Sequence, residues 1–272
     1  MADQQLVSVI IPTKNRRDLL ERALRSVLQQ TWKNLEIVVV DDASNDSTGE
    51  YLHSLSQNSL LQIIRNRNSK GASTSRNIAL KHAKGEFIAN IDDDDFWQPK
   101  RIEMLMKTFE GGFSAVCSYD KMIMNNKKVV WKKPDIITLN DLLFYNRIGN
   151  QVLTKKKYLE EIGGYDEMLP SAQDYDLWIR LVQKFGPVKT VPQVLQVVNM
   201  TDDRDRITNS DLQLEGYHRC FEKHQHLMNP SHTSYQKYRL KMAGGEKVSL
   251  LDLYRSVPSE LYIKEIIRKL FL

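Results

Sequence analysis

Apolar runs of strand length alternate with helix-spaced apolar positions along the first part of the chain. Residues 7–11 form a short apolar run that ends at Pro12, and Leu19, Leu20, Ala23, Leu24, Val27 and Leu28 then recur at helical spacing. Residues 35–40 repeat the strand pattern with β-branched side chains, and the turn-forming stretch 41–48 leads into a second helix. Residues 61–64 read as a third strand. Gly71 opens a polar loop before a helix carrying Ile78, Ala79 and Ala83, and residues 87–91 are a strand that stops at Asp92. Near-continuous apolar strands separated by helices predict a parallel sheet covered on both faces.

The pattern changes after a helix bearing Ile102, Leu105, Met106 and Phe109. Residues 115–119 are strand-like, and Met122, Met124, the turn at Asn125 and Asn126, and residues 129–131 predict a hairpin, so a mixed sheet replaces strict alternation. Tyr175, Trp178, Leu181, Val182 and Phe185 form one apolar helix face directly behind Asp174. Residues 199–210 are polar and aperiodic and predict a loop. At the end of the chain, Leu261, Ile263, Ile266, Ile267, Leu270 and Phe271 stand against Lys264, Arg268 and Lys269 as an amphipathic basic helix, suited to docking on the protein's own core or on lipid.

Composition narrows the class. With 272 residues, 41% hydrophobic and 27% charged, the chain reads as a globular protein with a substantial core. No uninterrupted apolar run approaches the ~20 residues of a spanning helix, and the N-terminus shows no basic segment ahead of a hydrophobic signal core, so a cytoplasmic protein is expected. Cys117 and Cys220 lie too far apart for a metal knuckle and read as buried, inert thiols. The net charge of +5 comes from scattered basic residues without a nucleic-acid-binding pattern. No nucleic-acid partner is expected. Peripheral contact with an anionic membrane at the inner face of the cell membrane fits the charge better.

The chemistry concentrates in Asp92, Asp93, Asp94 and Asp95, at the end of the fourth apolar strand. Adjacent carboxylates repel, and crowding them is costly unless a cation compensates. Mn2+ or Mg2+ is the natural partner, because these ions take oxygen ligands and share them with substrate phosphates. Ligands of open α/β sheets bind outside the carboxyl ends of the strands, where this run falls. The competing reading is a solvated acidic turn leading into the helix after Pro99, with Asp95 as a cap. The apolar flanks 87–91, Phe96 and Trp97 favour burial and therefore the cation. The six histidines show no metal-ligand spacing, and His218, His224 and His226 read as helix-surface residues. Neither a Ser-His-Asp arrangement nor a Walker-type glycine loop is present in the sequence.

The motifs Ser8-Val9-Ile10-Ile11-Pro12-Thr13, Val39-Val40-Asp41-Asp42-Ala43-Ser44 and Asp92-Asp93-Asp94-Asp95 with Trp97 and Pro99 follow one another in order. Ser75-Arg76-Asn77, Gly163-Gly164-Tyr165-Asp166-Glu167 and Gln173-Asp174-Tyr175-Asp176-Leu177-Trp178 come after them or between them. Together, over roughly residues 7–198, they resemble the inverting glycosyltransferase family two. The resemblance implies an α/β protein of the GT-A fold, a Rossmann-like parallel sheet merged with a mixed-sheet half and followed by a helical C-terminal extension. The corresponding boundaries are 1–110 for the nucleotide-sugar-binding half, 111–205 for the acceptor-binding half of the same domain, and 206–272 for the extension.

Carried over residue by residue, the resemblance makes Pro12 and Thr13 part of the nucleotide pocket and Asp42 the acceptor of a uracil N–H. Asp41 and Asp42 can also simply organise a turn. Arg76 would contact the base or phosphates, unless it is a solvated helix residue. Asp94 is the family-like metal ligand, with Asp92 and Asp93 near ribose and metal waters. Asp174 matches the general base, in a place that an N-terminal helix acid also suits. Asp176 fits either role less well. One departure stands out: many relatives carry a histidine after residues 194–198, where this chain reads Asn199-Met200-Thr201-Asp202-Asp203. Asp202 or Asp203 would have to substitute, or Arg204 and Arg206 engage the diphosphate, if this cluster is more than solvated charge.

The activity implied is transfer of one hexose, glucose or galactose, from a UDP-sugar to a polyprenyl-diphosphate-linked glycan in bacterial surface-polysaccharide (O-antigen) biosynthesis. A nucleotidyltransferase usually has a glycine-rich loop where this chain has Pro12-Thr13-Lys14-Asn15-Arg16. A non-catalytic nucleotide-sugar-binding module would not need Asp174 beside an intact aspartate run.

Overall fold

The computed structural model describes residues 5–124, 127–200, 211–263 and 265–266. The apolar runs form strands β1 (Val7–Thr13), β2 (Leu35–Asp41), β3 (Leu61–Arg65) and β4 (Phe87–Asn90), separated by helices α1 (Arg17–Leu28), α2 (Thr48–Ser54) and α3 (Ala72–His82). The four strands lie in the order β3-β2-β1-β4, and their neighbours pair in parallel. Because β2 lies on one side of β1 and β4 on the other, the winding reverses between β1 and β4. Such a switch point opens a crevice at the carboxyl ends of the strands.

Beyond β4 the sheet turns mixed. After β5 (Phe96–Trp97) and α4 (Arg101–Thr108), strand β6 (Ala115–Met124) runs on past the expected 115–119 and pairs antiparallel with β7 (Lys127–Trp131), which gives the expected hairpin. The periodicity did not show β8 (Ile136–Ile137), α5 (Leu139–Phe144), β9 (Leu153–Lys155) or α6 (Lys156–Glu161). Only three residues long, β9 sits antiparallel between β4 and β6 and joins the two parts of the sheet. After α7 (Gln173–Phe185), strand β10 (Val188–Asn199) pairs in parallel with β6, and its register shifts between Val191 and Gln196 accommodate Pro192 and Pro-adjacent backbone that a regular ladder excludes.

Alternate residues of each central strand serve opposite faces. Val9, Ile11, Ile37 and Val39 pack with Leu20, Leu24 and Val27 of α1 and Ile102 of α4, while Ile10, Val38 and Val40 pack with Ala79 of α3 and Leu177, Trp178 and Leu181 of α7. Both clusters draw on residues before and after 110, so one sheet, with a cluster on each face, runs through both halves. Helices α8 (Asp211–His224), α9 (Pro230–Ala243) and α10 (Leu250–Ser256) follow, with a smaller cluster around Tyr235, Tyr238 and Leu253. Gln236 of α9 ties this layer to the body, its amide donating to the Leu143 carbonyl at 3.0 Å and the Tyr175 hydroxyl at 2.7 Å. No described helix is long and apolar enough to cross a membrane.

Asp176 fastens α8 to α7. Fully buried, it accepts hydrogen bonds from Arg180 Nη2 at 2.7 Å and from Lys223 Nζ and His224 Nε2 at 2.8 Å each. His224 is therefore not a surface residue, as its polar surroundings in sequence suggest, but a buried ligand of this carboxylate; His218 and His226 are exposed. Cys117 and Cys220 are buried thiols, and burial pushes both up. Burial likewise pushes the Asp176 carboxyl up, but the hydrogen bond from His224, the charge of Arg180 and the hydrogen bonds from Lys223 and Arg180 outweigh it and hold the group well below the usual carboxylate range.

Asp176→Asn removes one partner from a buried ionic network, and we expect a loss of about 3 kcal/mol in chemical denaturation. Because the folded-state carboxyl lies below its unfolded value of about 3.9, its contribution is complete above that pH and drains away as pH falls below it. The acid-side loss of stability should accordingly be shallower in the variant.

Candidate active site

Both ends of the aspartate run are held in the sheet. One residue, Ile91, whose N–H binds the Ile10 carbonyl at 3.2 Å, separates β4 from Asp92, and immediately after Asp95 strand β5 pairs antiparallel with β10, Trp97 opposite Gln196. The four carboxylates are thus fixed beside the carboxyl end of β1, in the crevice at the switch point. From β1, Thr13 donates its hydroxyl to Asp93 Oδ2 at 2.8 Å. From the loop after β1, Arg16 Nη1 reaches both Asp93 Oδ1 at 3.1 Å and Asp94 Oδ2 at 3.3 Å, and Arg22 of α1 donates to the Asp94 backbone carbonyl. Burial pushes the Asp93 carboxyl up to about 6, only partly offset by Arg16 and Thr13.

Asp92, Asp94 and Asp95 form a closer group: one carboxylate oxygen from each lies within 4.8 Å of the others. Three converging carboxylates suit a hard divalent cation such as Mn2+ or Mg2+, and the state of Asp95 shows why a cation fits. Burial and the neighbouring Asp94 and Asp92 push its carboxyl well above the ordinary range. Added positive charge would relieve that crowding. Asp95 is not a helix cap, since the residue capping α4 is Lys100. It is instead held from the far side by Gln151 Nε2 at 2.5 Å, Asn150 Nδ2 at 2.9 Å and the Asn199 N–H at 3.0 Å. Asp93, expected near ribose and metal waters, lies outside the closer group and faces Thr13 and Arg16.

Asp41 organises its turn, accepting the Ser44 N–H at 2.9 Å. Asp42 is engaged more heavily. Asn66 Nδ2 and the Lys70 N–H bind its Oδ1 at 2.7 and 2.8 Å, and the Ser69 hydroxyl and Gly71 N–H bind its Oδ2 at 2.7 and 2.9 Å. Burial pushes this carboxyl up, and the four donors, led by the Lys70 N–H, more than offset it and hold the group below its ordinary value. A carboxylate offers about four lone-pair positions, so protein donors already occupy them. Next to Asp42, a cavity of about 320 Å³ is lined by Ala43, Arg65, Asn66 and Arg67.

Asp174 stands in the first turn of α7, behind Ala172 in the left-handed region at φ 58°. Its Oδ1 is buried and has no hydrogen-bond partner among the described residues, and Gln173 turns away to the Leu169 and Pro170 carbonyls. Burial pushes the Asp174 carboxyl up to about 7, against the pull of Arg76 and with a further push from Asp92. Arg76 is no solvated helix residue. Its guanidinium is buried, pairs with Asp92 at 2.6 Å and stacks over Tyr165 with its centre 5.3 Å from the ring centroid. The same arginine therefore carries positive charge to the aspartate run and to Asp174. Asp202, Asp203, Arg204 and Arg206 lie outside the described residues.

Sequence reasoning did not single out Arg16, Arg22, Asn150 or Gln151. Arg16 had a signal, being a cation in the loop after the first strand. The two amides had none, because neutral side chains ahead of a three-residue strand carry no pattern of their own.

Residues 8–165 match the family described as Glycosyl transferase family 2. WcaA of Escherichia coli (strain K12), named for a glycosyl transferase of colanic acid biosynthesis, is 32% identical over 250 residues, which is 88% of this chain and 88% of its own. WfgD of Escherichia coli, named UDP-Glc:alpha-D-GlcNAc-diphosphoundecaprenol beta-1,3-glucosyltransferase, is 33% identical over 183 residues, 66% of this chain and 71% of its own. Among solved structures, mannosyltransferase PcManGT from Pyrobaculum calidifontis in complex with GDP-Man and Mn2+ superposes with a TM-score of 0.62 at 20% identity, over 91% of this chain and 77% of that one.

The four bonds to Asp42 set an expectation for the segment 66–71. Asp42→Asn turns one acceptor oxygen into a donor facing N–H groups, so amide exchange at Lys70 and Gly71 should accelerate roughly tenfold or more, as loss of about 1.5 kcal/mol or more per charged hydrogen bond requires. Unchanged exchange by mass spectrometry or NMR would show that the segment stands without Asp42.

Proposed function

The chain belongs to glycosyl transferase family 2 and has the GT-A fold, and from that membership we propose that it transfers one hexose, glucose or galactose, from a UDP-sugar to a polyprenyl-diphosphate-linked glycan in bacterial surface-polysaccharide (O-antigen) assembly, with inversion. The relatives WcaA and WfgD support the setting, and the name of WfgD supports the UDP-sugar and the lipid-linked acceptor. The observation that carries the proposal is the division of carboxylates: a crowded group at the strand ends, and a separate one, Asp174, with a buried oxygen that has no partner among the described residues.

Inverting transfer is an in-line displacement. As the acceptor oxygen bonds to the anomeric carbon, the bond from that carbon to the diphosphate breaks on the opposite face, and the hydroxyl proton passes to Asp174. An α-linked donor then gives a β-linked product. A carboxyl raised to about 7 is a stronger base than an ordinary one, and roughly half of it is ionised at neutral pH. Arg76 keeps the ionised form accessible despite burial. Asp92, Asp94 and Asp95 would hold Mn2+ or Mg2+, with Asp94 as the family-like ligand; the ion, when bound, supplies positive charge to the departing diphosphate. Arg16, already poised on Asp93 and Asp94, would add its charge to that of the ion. We assign Pro12 and Thr13 to the nucleotide pocket, and Asp42 to the base pocket through the segment 66–71, with Asn66 common to the carboxylate and the cavity.

Leu250, Leu251 and Tyr254 of α10 and Ile263 are exposed, close in sequence to Lys247 and Arg255. Aliphatic and aromatic side chains beside basic ones suit an anionic bilayer, where a lipid-linked acceptor resides. Co-flotation with phosphatidylglycerol vesicles should exceed that with neutral vesicles, and replacing Leu250, Leu251 and Tyr254 by serine should abolish it. Equal flotation of the altered and unaltered chains would remove this surface from the proposal.

A panel of nucleotide sugars with Mn2+, scored by slow donor hydrolysis and thermal stabilisation, tests the donor assignment; stabilisation by none of the UDP-sugars would overturn it. With the donor in hand, the two carboxylate roles separate. Asp174→Asn should lower turnover by roughly 10²- to 10⁴-fold while UDP binding persists, and Asp94→Asn should weaken Mn2+-supported UDP binding in calorimetry. Since Asp174 must be ionised to accept a proton, turnover of the unaltered enzyme should rise with pH through about 7. An acidic limb near 4 would exclude this group as the base.

A further inference from the structure

One segment touches both sides of the site. Residues 146–151, between α5 and β9, are fixed from several directions. Asn146 Oδ1 accepts the Ile148 and Gly149 N–H groups at 3.0 Å each, and the buried Lys133 Nζ donates to the Ile148 carbonyl at 2.6 Å while paired with Asp120 at 2.8 Å. Asn90, at the end of β4, donates to the Asn150 carbonyl at 2.5 Å and accepts the Val152 N–H at 3.1 Å. Gly149 adopts φ +92°, and a Cβ there would stand 3.2 Å from Asp120 Oδ2, so only glycine suits the bend.

From this rigid segment Asn150 gives its side-chain amide to two carboxylates, Asp92 Oδ2 at 2.7 Å and Asp95 Oδ2 at 2.9 Å. One residue earlier, the Gly149 carbonyl accepts the indole N–H of Trp178 at 2.8 Å. Trp178 lies one helical turn after Asp174 on α7, on the same side of the helix. Hydrogen bonds at either end of the Gly149–Asn150 backbone thus connect the helix that carries Asp174 to two of the three grouped carboxylates.

We infer that Asn150 is a positioning residue, which spaces Asp92 and Asp95 for a divalent cation and, through Gly149 and Trp178, ties that spacing to the helix carrying the base. The choice of an amide has a physical reason. A lysine or arginine in its place would neutralise the carboxylates that a cation needs, and an aspartate would add a further repelling charge. The amide donates both hydrogens and leaves the charge of the group intact. This inference rests on the metal-assisted transfer proposed above.

The test uses the full chain and Mn2+ titrated by calorimetry in the presence of UDP. Asn150→Ala is expected to weaken Mn2+ binding by roughly 10- to 100-fold, the usual consequence of losing a group that orients metal ligands, with a melting temperature close to that of the unaltered chain. Should the alanine variant not give folded protein, Asn150→Ser is read in the same way. Trp178→Phe, which removes only the indole donor and some ring area, is expected to lower kcat with the Mn2+ dissociation constant and the donor KM unchanged. Wild-type Mn2+ affinity in the folded Asn150 variant overturns the inference alone, and an unchanged kcat in Trp178→Phe overturns its link to the base. If the unaltered chain shows no Mn2+-dependent UDP binding, the metal reading itself fails and the inference falls with it.

Discussion

Four carboxylates on consecutive residues, brought into a crevice where water is partly excluded, set the constraint to which the rest of this structure answers. Their repulsion is not removed by spreading them apart, because both ends of the run are committed to the sheet. It is compensated from every side. Arg16 comes from the loop after β1, Arg76 from α3, Asn150 and Gln151 from the segment before β9, and the Asn199 N–H from the end of β10. Two cations paired with the carboxylates and several neutral donors leave the group negative while giving it defined geometry. Complete neutralisation would have stabilised the crevice more and left nothing for a divalent ion to bind.

The contrast between Asp174 and Asp176 shows how far surroundings decide the chemistry of one residue type. Both lie in the first turn of α7, where the helix dipole favours an anion. Two positions along a helix point about 200° apart. Asp176 therefore turns toward α8, meets Arg180, Lys223 and His224, and becomes a strongly stabilised anion. Asp174 turns toward the crevice, where burial, with no hydrogen-bond partner on Oδ1 among the described residues, raises its carboxyl toward neutrality. One holds the C-terminal layer to the body; the other is left with an oxygen available to a proton.

Arg76 and the segment 146–151 connect the two sides in different ways. The arginine acts through charge, felt by Asp92 and Asp174 together. The segment acts through geometry, its Gly149–Asn150 backbone held by a hydrogen bond from Trp178 at one end and holding Asp92 by one at the other. A displacement reaction needs both, since the nucleophile and the leaving group must be held in line while the charges on each change.

Much of this architecture is legible in the chain. Runs such as 7–11 and 35–40 predict buried parallel strands, because a strand covered on both faces needs no polar positions, and the helices between them declare their apolar stripes. The order of strand ends then places Thr13, Asp42 and the aspartate run near one another. Short elements escaped: β9 has three residues and β5 two, too few for any period to register. The neutral partners escaped with them, since Asn150 and Gln151 acquire meaning only from the carboxylates they face, some 55 residues away in sequence. His224, exposed by its local pattern, is buried because a carboxylate 48 positions earlier needs its hydrogen. Local periodicity and residue chemistry determined the longer strands and helices and the place of the acidic run. Which carboxylates share a cation site, which are saturated and which keeps a free oxygen was decided by long-range packing, because a carboxyl's state depends on the charges, donors and water around it rather than on its neighbours in the chain.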